Sequence, residues 1–202
     1  MENYKEPKMG FATVNNRVLQ AALLASGSIF GFRYELSGVI FDDGNIVTTD
    51  GPRLFKAPIS QSGDVAVISS GDLKLLFDKC QYLDIDLDYD DEFTICFNFD
   101  SNEFTIGIEE DYGLFHGEMM NIAPVQWRNV IDVNKDPENI QFGLFNADYI
   151  KDACEISRIF ANGRSANFHF IPSGLKTGAH IAFDYFDAEM IIMPIKRGHY
   201  GD

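Results

Sequence analysis

The sequence predicts an α+β fold built from a repeated strand–helix–strand–strand–strand unit. Three helix-period segments each follow one strand-like run and precede further strand-like runs. Turn clusters such as Asp42-Asp43-Gly44 and Asp50-Gly51-Pro52 punctuate the strands. The 202 residues are 46% hydrophobic and include 18 Phe, enough to bury a core and too apolar for disorder.

In the first unit Gly10–Val14 reads as a strand. Asn15 or Asn16 caps a helix that buries Val18, Leu19, Ala22 and Leu23, and Gly27 and Gly31 end it. Strands are expected at Phe32–Phe41, Asn45–Thr49 and Arg53–Ile59. The second unit opens with the strand Val65–Ile68. Ser69 or Ser70 then caps a helix with Leu73, Leu76, Phe77 and Cys80 on one face. Its strands are expected at Asp84–Tyr89, Phe93–Phe99 and Glu103–Ile108. The third unit starts at Asn139–Phe145, and Asn146 caps a helix carrying Tyr149, Ile150, Ala153, Ile156 and Phe160. Strands follow at Ala166–Ile171, Ala179–Tyr185 and Ala188–Pro194. The expected organisation is a two-unit domain over residues 9–112, a connector over 113–138 that holds the one tryptophan, Trp127, and a third unit over 139–197.

Composition narrows the function. A net charge of −15 repels nucleic acid at long range, so tight DNA binding through a broad basic face is disfavoured. No run of 18 apolar residues occurs, and Met1–Glu6 is charged and lacks an apolar signal core. Cys80, Cys96 and Cys154 are scattered and odd in number, which suits reduced, mostly buried thiols in a cytoplasmic protein.

Chemistry-bearing patterns are sparse. Asp84–Glu92, "DIDLDYDDE", reads as a strand with its carboxylates in a row. Such a row diverges where a calcium loop must converge, so a solvated strand guarded against edge pairing is favoured over a metal site. His116, His169, His180 and His199 share no zinc-like spacing. Ser69-Ser70-Gly71 is a helix cap, not a nucleophile elbow, and no phosphate-cradling glycine motif occurs. No catalytic residue, metal or cofactor is expected. A small-molecule enzyme using the acidic strand is the least favoured class.

Three segments in order carry a resemblance. "FRYELSGVIFDDGNIVTTDGPRLFKAPI" has Arg33, Leu36 and Gly38, then Thr49, Asp50, Gly51, Arg53 and Leu54. "NIAPVQWRNVIDV" has Pro124, Trp127, Arg128 and Val130, and "MIIMPIKR" runs from Met190 to Arg197. These segments are similar to the bacterial DNA polymerase III beta subunit, the replicative sliding clamp, with Pro52 in place of that family's histidine. The resemblance implies a DNA-clamp-like fold with one full clamp domain and a further half. It implies a non-catalytic replication accessory akin to a polymerase processivity factor. It also implies a groove for short linear peptides of DNA polymerase or other replication proteins. That groove would hold Leu36, Thr49, Gly51, Arg53, Leu54, Pro124, Val130, Ile191, Met193, Pro194 and Ile195, with Arg53 at its rim bonding the peptide. Weak contact with double-stranded DNA would fall to Arg17, Lys74, Lys79, Lys151, Arg158 and Arg164 on the helices. The unpaired third unit implies a homo-oligomer in which it exposes an apolar helix face and a sheet edge. The alternative is a clamp-fold protein-interaction module that does not bind DNA.

Overall fold

The computed structural model describes residues 6–27, 33–108, 111–135, 144–172 and 177–195. The expected strand over 139–143 lies outside them. Two antiparallel sheets form the frame. Unit one contributes β1 (Met9–Asn15), α1 (Asn16–Ala25), β2 (Gly38–Asp42), β3 (Asn45–Thr49), β4 (Arg53–Pro58) and a short β5 (Ser60–Ser62). Unit two contributes β6 (Ala66–Ser69), α2 (Ser70–Tyr82), β7 (Glu92–Asn98), β8 (Glu103–Ile108) and β9 (Asp111–Glu118). Then come α3 (Trp127–Lys135), α4 (Ala147–Ala161), β10 (Phe168–Ile171), β11 (Ala179–Phe183) and β12 (Glu189–Ile192).

The helices start where their caps put them. Asn15 accepts from the Arg17 N–H at 3.0 Å, Ser69 from Gly71 at 3.1 Å, and Asn146 from Asp148 at 3.0 Å. Along β1 burial alternates, with Ala12 and Val14 inward and Phe11 outward. The β2–β3 hairpin turns through Asp43 and Gly44, both at positive φ, as a two-residue turn matched to strand twist requires.

The units exchange strands. The five-stranded sheet runs β5-β1-β7-β8-β9, so the first strand of unit one sits among the strands of unit two. The seven-stranded sheet runs β10-β11-β12-β4-β3-β2-β6, so the first strand of unit two closes the sheet of unit one. The third unit joins through β12 against β4, with Ile191 opposite Leu54. One continuous core fills the space between the sheets. It includes Phe41, Phe55, Phe93, Phe97, Leu73 and Ile95, and it reaches Ala153, Ile156 and Phe160 of α4. A second, smaller cluster on the outer face of the seven-stranded sheet gathers Ile40, Val47, Leu54, Val67 and Ile191 beneath Trp127 and Ile131 of α3.

Several expectations need correction. Asp84–Tyr89 is not a strand. β7 lies directly on β1, leaving no ladder position for that segment. It is instead an irregular loop pinned to α1 by the Asn16 amide, which donates to the Asp88 carbonyl at 2.8 Å. Ile85 and Leu87 still turn inward, which explains the alternating pattern without a strand. The third strand of unit two is therefore β9, and the segment expected to begin the connector runs on in the sheet to Glu118. The expected strand Phe32–Phe41 begins only at Gly38, after a 3-10 turn over Tyr34–Ser37. The apolar face of α4 is not exposed either. Ala153, Ile156 and Phe160 are fully buried against α1 and the core.

Candidate functional site

The turn between β3 and β4 is built by its own polar groups. The Thr49 hydroxyl donates to the Arg53 carbonyl at 2.6 Å and accepts from the Gly51 N–H at 3.0 Å. The Arg53 N–H donates to an Asp50 carboxylate oxygen at 3.0 Å. Gly51 has φ of +99°, a conformation that side chains with a Cβ rarely adopt. The chain from β12 runs past the same turn, where the Met193 N–H donates to the Pro52 carbonyl at 2.7 Å.

Beside this junction lies a cavity of about 190 Å³. Leu36 comes from the 3-10 turn, Thr49, Gly51, Arg53 and Leu54 from the β3–β4 hairpin, Val130 from α3, and Ile191 and Met193 from β12 and its extension. These eight residues were singled out in the sequence, and the fold brings them to one place. Pro124, Pro194 and Ile195 do not line it. The Ile195 N–H instead donates to the Leu144 carbonyl at 2.7 Å, which turns the chain away from the notch. Arg33 and Val125 do line it and were not assigned there. Both adjoin quoted motif residues: Arg33 opens the motif containing Leu36, and Val125 follows Pro124.

α3 forms one wall because it is tied down. The Trp127 indole N–H donates to Asp42 at 2.9 Å, and Arg128 donates to Asp42 at 2.6 Å and to Asp43 at 3.1 Å. The Arg128 guanidinium also stacks over the indole at 4.3 Å.

Arg53 does not serve as a free rim cation. Its side chain is buried, and its guanidinium bonds Asp50 at 2.9 Å and pairs with Asp152 of α4. It also stands 4.9 Å from the ring centroid of Tyr149. Burial, and after it the charge of Asp50, raise the Tyr149 phenol above its ordinary pKa, while Arg53 opposes them. The cation exposed at the notch is Arg33, whose side chain is 68% accessible and touches Glu35 at 3.3 Å. Backbone hydrogen bonding first, and Arg33 second, hold the Glu35 carboxyl below its usual range.

Arg53 also borders a broader, open cleft of about 850 Å³ on the helical side, walled by Leu23, Leu24, Phe77 and Ile159 with Lys74 and Glu155 at its edge. Of the cations expected to face DNA, Arg17 is already engaged within the protein. It pairs with Asp90, donates to the Phe160 carbonyl at 2.9 Å and stacks on Phe186 at 4.9 Å. Lys74, Lys79, Lys151, Arg158 and Arg164 are exposed. Cys80 is buried, Cys96 and Cys154 are half-buried, and all three are free thiols. Among the described residues, no three His, Cys, Asp or Glu side chains gather to hold a metal ion. No described helix is long and apolar enough to cross a membrane.

No protein-family model matches the chain, and no curated protein matches it in sequence. Solved structures do match in fold. A DNA polymerase sliding clamp from Pseudomonas aeruginosa is 14% identical at a TM-score of 0.64, over 97% of this chain and 68% of the clamp. The DNA polymerase III subunit beta of Bartonella birtlesii, solved bound to griselimycin, gives the same identity, coverage and TM-score. A DNA polymerase sliding clamp from Caulobacter crescentus is 11% identical at a TM-score of 0.65, over 95% of this chain and 67% of the clamp. The chain thus has the fold of bacterial sliding clamps, spanning about two-thirds of their length.

Proposed function

Proceeding from a clamp fold with an apolar notch at the β4–β12 junction, we propose a non-catalytic, clamp-like replication accessory that captures short linear peptides. The observation that carries this reading is the convergence of Leu36, Leu54, Val125, Val130, Ile191 and Met193 on one cavity beside a self-bonded turn. The partners would be DNA polymerase or other replication proteins displaying an apolar side chain on a flexible segment. Met193 supplies an adaptable wall that tolerates varied side chains. Arg33, not Arg53, is the cation placed to meet a peptide carbonyl or carboxylate.

Size sets the terms of binding. A cavity of about 190 Å³ is smaller than a ligand pocket of roughly 300 Å³ or more, and it suits one large apolar side chain. Burying that side chain contributes about 1.5–3 kcal/mol. Micromolar affinity corresponds to about −8 kcal/mol, so flanking contacts and hydrogen bonds at the rim must supply the difference. Calorimetric titration with a clamp-binding consensus peptide tests this. Saturable binding that Met193→Lys abolishes, with the variant's melting temperature unchanged, is the expected result. Equal binding by wild type and variant would refute it.

The alternative reading, an interaction module that leaves DNA alone, is favoured by one observation. α2 and α4 carry Lys74, Lys79, Lys151 and Arg158 against Asp72, Asp78, Asp148, Asp152 and Glu155. Such a mixed face attracts phosphates weakly. Retention on circular against linear DNA across a salt series separates the two readings.

A further inference from the structure

A further cavity lies where all three units meet, apart from the peptide notch. Its walls come from α1 (Arg17), the loop before β7 (Asp90), the end of α4 (Asn162 and Arg164) and the β11–β12 turn (Tyr185 and Phe186). Its volume is about 370 Å³, within the roughly 300–1,000 Å³ of small-molecule pockets. The backbone around it is unusual. Asn162, Phe186 and Asp187 have φ of +44°, +62° and +46°, with no glycine among them. For a residue as bulky as Phe186 that conformation is costly, and it sets the ring against the Arg17 guanidinium at 4.9 Å.

Charge in this cavity runs against that of the chain. Two guanidiniums and one carboxylate line it, in a protein of net charge −15. Asp88, Asp91 and Asp187 are near in sequence, but only Asp90 lines it. Arg17 is incompletely satisfied. Its Nη1 donates to the Phe160 carbonyl at 2.9 Å, its Nη2 pairs with Asp90, and its buried Nε has no partner. Arg164 is exposed and has no ion-pair partner among the described residues. Tyr185 and Phe186, both half-buried, add a flat apolar wall beside the two cations.

We propose that this cavity binds a small aromatic anion, a planar ring carrying one oxyanion, either carboxylate or phosphate. The ring lies against Tyr185 and Phe186, and Arg164 takes the oxyanion. Asp90 already places a carboxylate on the Arg17 guanidinium. Its side chain is 78% exposed, so that pairing is weak enough for a ligand oxyanion to exchange with it. An open helix face offers an anion charge alone, whereas this cavity adds the aromatic wall that selects the ring. The inference does not rest on the peptide notch.

Calorimetry and amide NMR on the full chain test it, with phenyl phosphate, benzoate and inorganic phosphate as probes. The expected result is saturable binding of at least one ring-bearing probe, about tenfold tighter than inorganic phosphate, with shifts at the amides of Asn162, Tyr185 and Phe186. The tighter of the two ring-bearing probes identifies the oxyanion. Arg164→Gln should weaken binding about tenfold, and Asp90→Asn should tighten it by removing the competing carboxylate. Both side chains are exposed, so both variants should keep the wild-type melting temperature. No saturation by either ring-bearing probe overturns the proposal. So does equal affinity for inorganic phosphate, unchanged affinity in Arg164→Gln, affinity no tighter in Asp90→Asn, or shifts that fall outside the cavity.

Discussion

Arg53 is surrounded by Asp50, Asp152 and the Tyr149 ring, and it lines both the apolar notch and the helical cleft. Its removal leaves two carboxylates without their shared cation in a largely dry place. Arg53→Met should cost about 3 kcal/mol, the low end for breaking a buried pair because Asp152 retains some solvent. Urea denaturation measures it. Gly51→Ala forces a Cβ into a positive-φ turn and against the Leu36 methyl at 3.4 Å, at a cost of about 1–2 kcal/mol. Burial pushes the Cys80 and Cys96 thiols above their ordinary pKa. Between the unfolded and folded values, the unfolded chain is the one that has lost the protons. Stability is therefore intact below about pH 8.5 and declines as pH rises through the folded values. Cys80→Ala should flatten that alkaline decline, read from denaturation midpoints at neutral and alkaline pH.

At the level of elements, the repeat was legible because caps and turns announce themselves. Asn15, Ser69 and Asn146 start helices, and Asp43-Gly44 and Asp50-Gly51-Pro52 reverse strands. What misled was the period-two pattern of Asp84–Tyr89, which reports inward Ile85 and Leu87 but says nothing of whether a neighbouring strand is free to pair. The turn from β11 to β12 was equally hidden. Phe186 and Asp187 both take positive φ with no glycine to signal it, and Phe186 is held by the Phe160 ring at 5.0 Å and by Arg17. Eight of the notch residues were legible because they sit in dense local motifs. The fate of Arg53 was not, since Asp152 is distant in sequence and joins it only after α4 docks. That docking makes a prediction of its own. Phe160 fills space among Phe55, Phe183 and Phe186, so Phe160→Ala should cost about 3–5 kcal/mol. It should also lower unit one and unit three together in a single thermal transition.

For the whole molecule, the sheet that passes unbroken from β10 to β6 makes unit three a part of the first body and not an appendage. This continuity places α3 over the sheet and leaves a notch beside the β3–β4 turn. The chain is strongly acidic overall and its exposed helix cations are few, so contact with DNA should already be weak at low salt, while an apolar peptide contact should change little with salt. Methyl NMR with a saturating clamp-binding consensus peptide tests the central claim most directly, because it reports which cavity is filled. Shifts at the methyls of Leu36, Val130, Ile191 and Met193, with Leu23 and Ile159 unmoved, are the predicted result. Shifts confined to the helical cleft, or none at saturation, would contradict it.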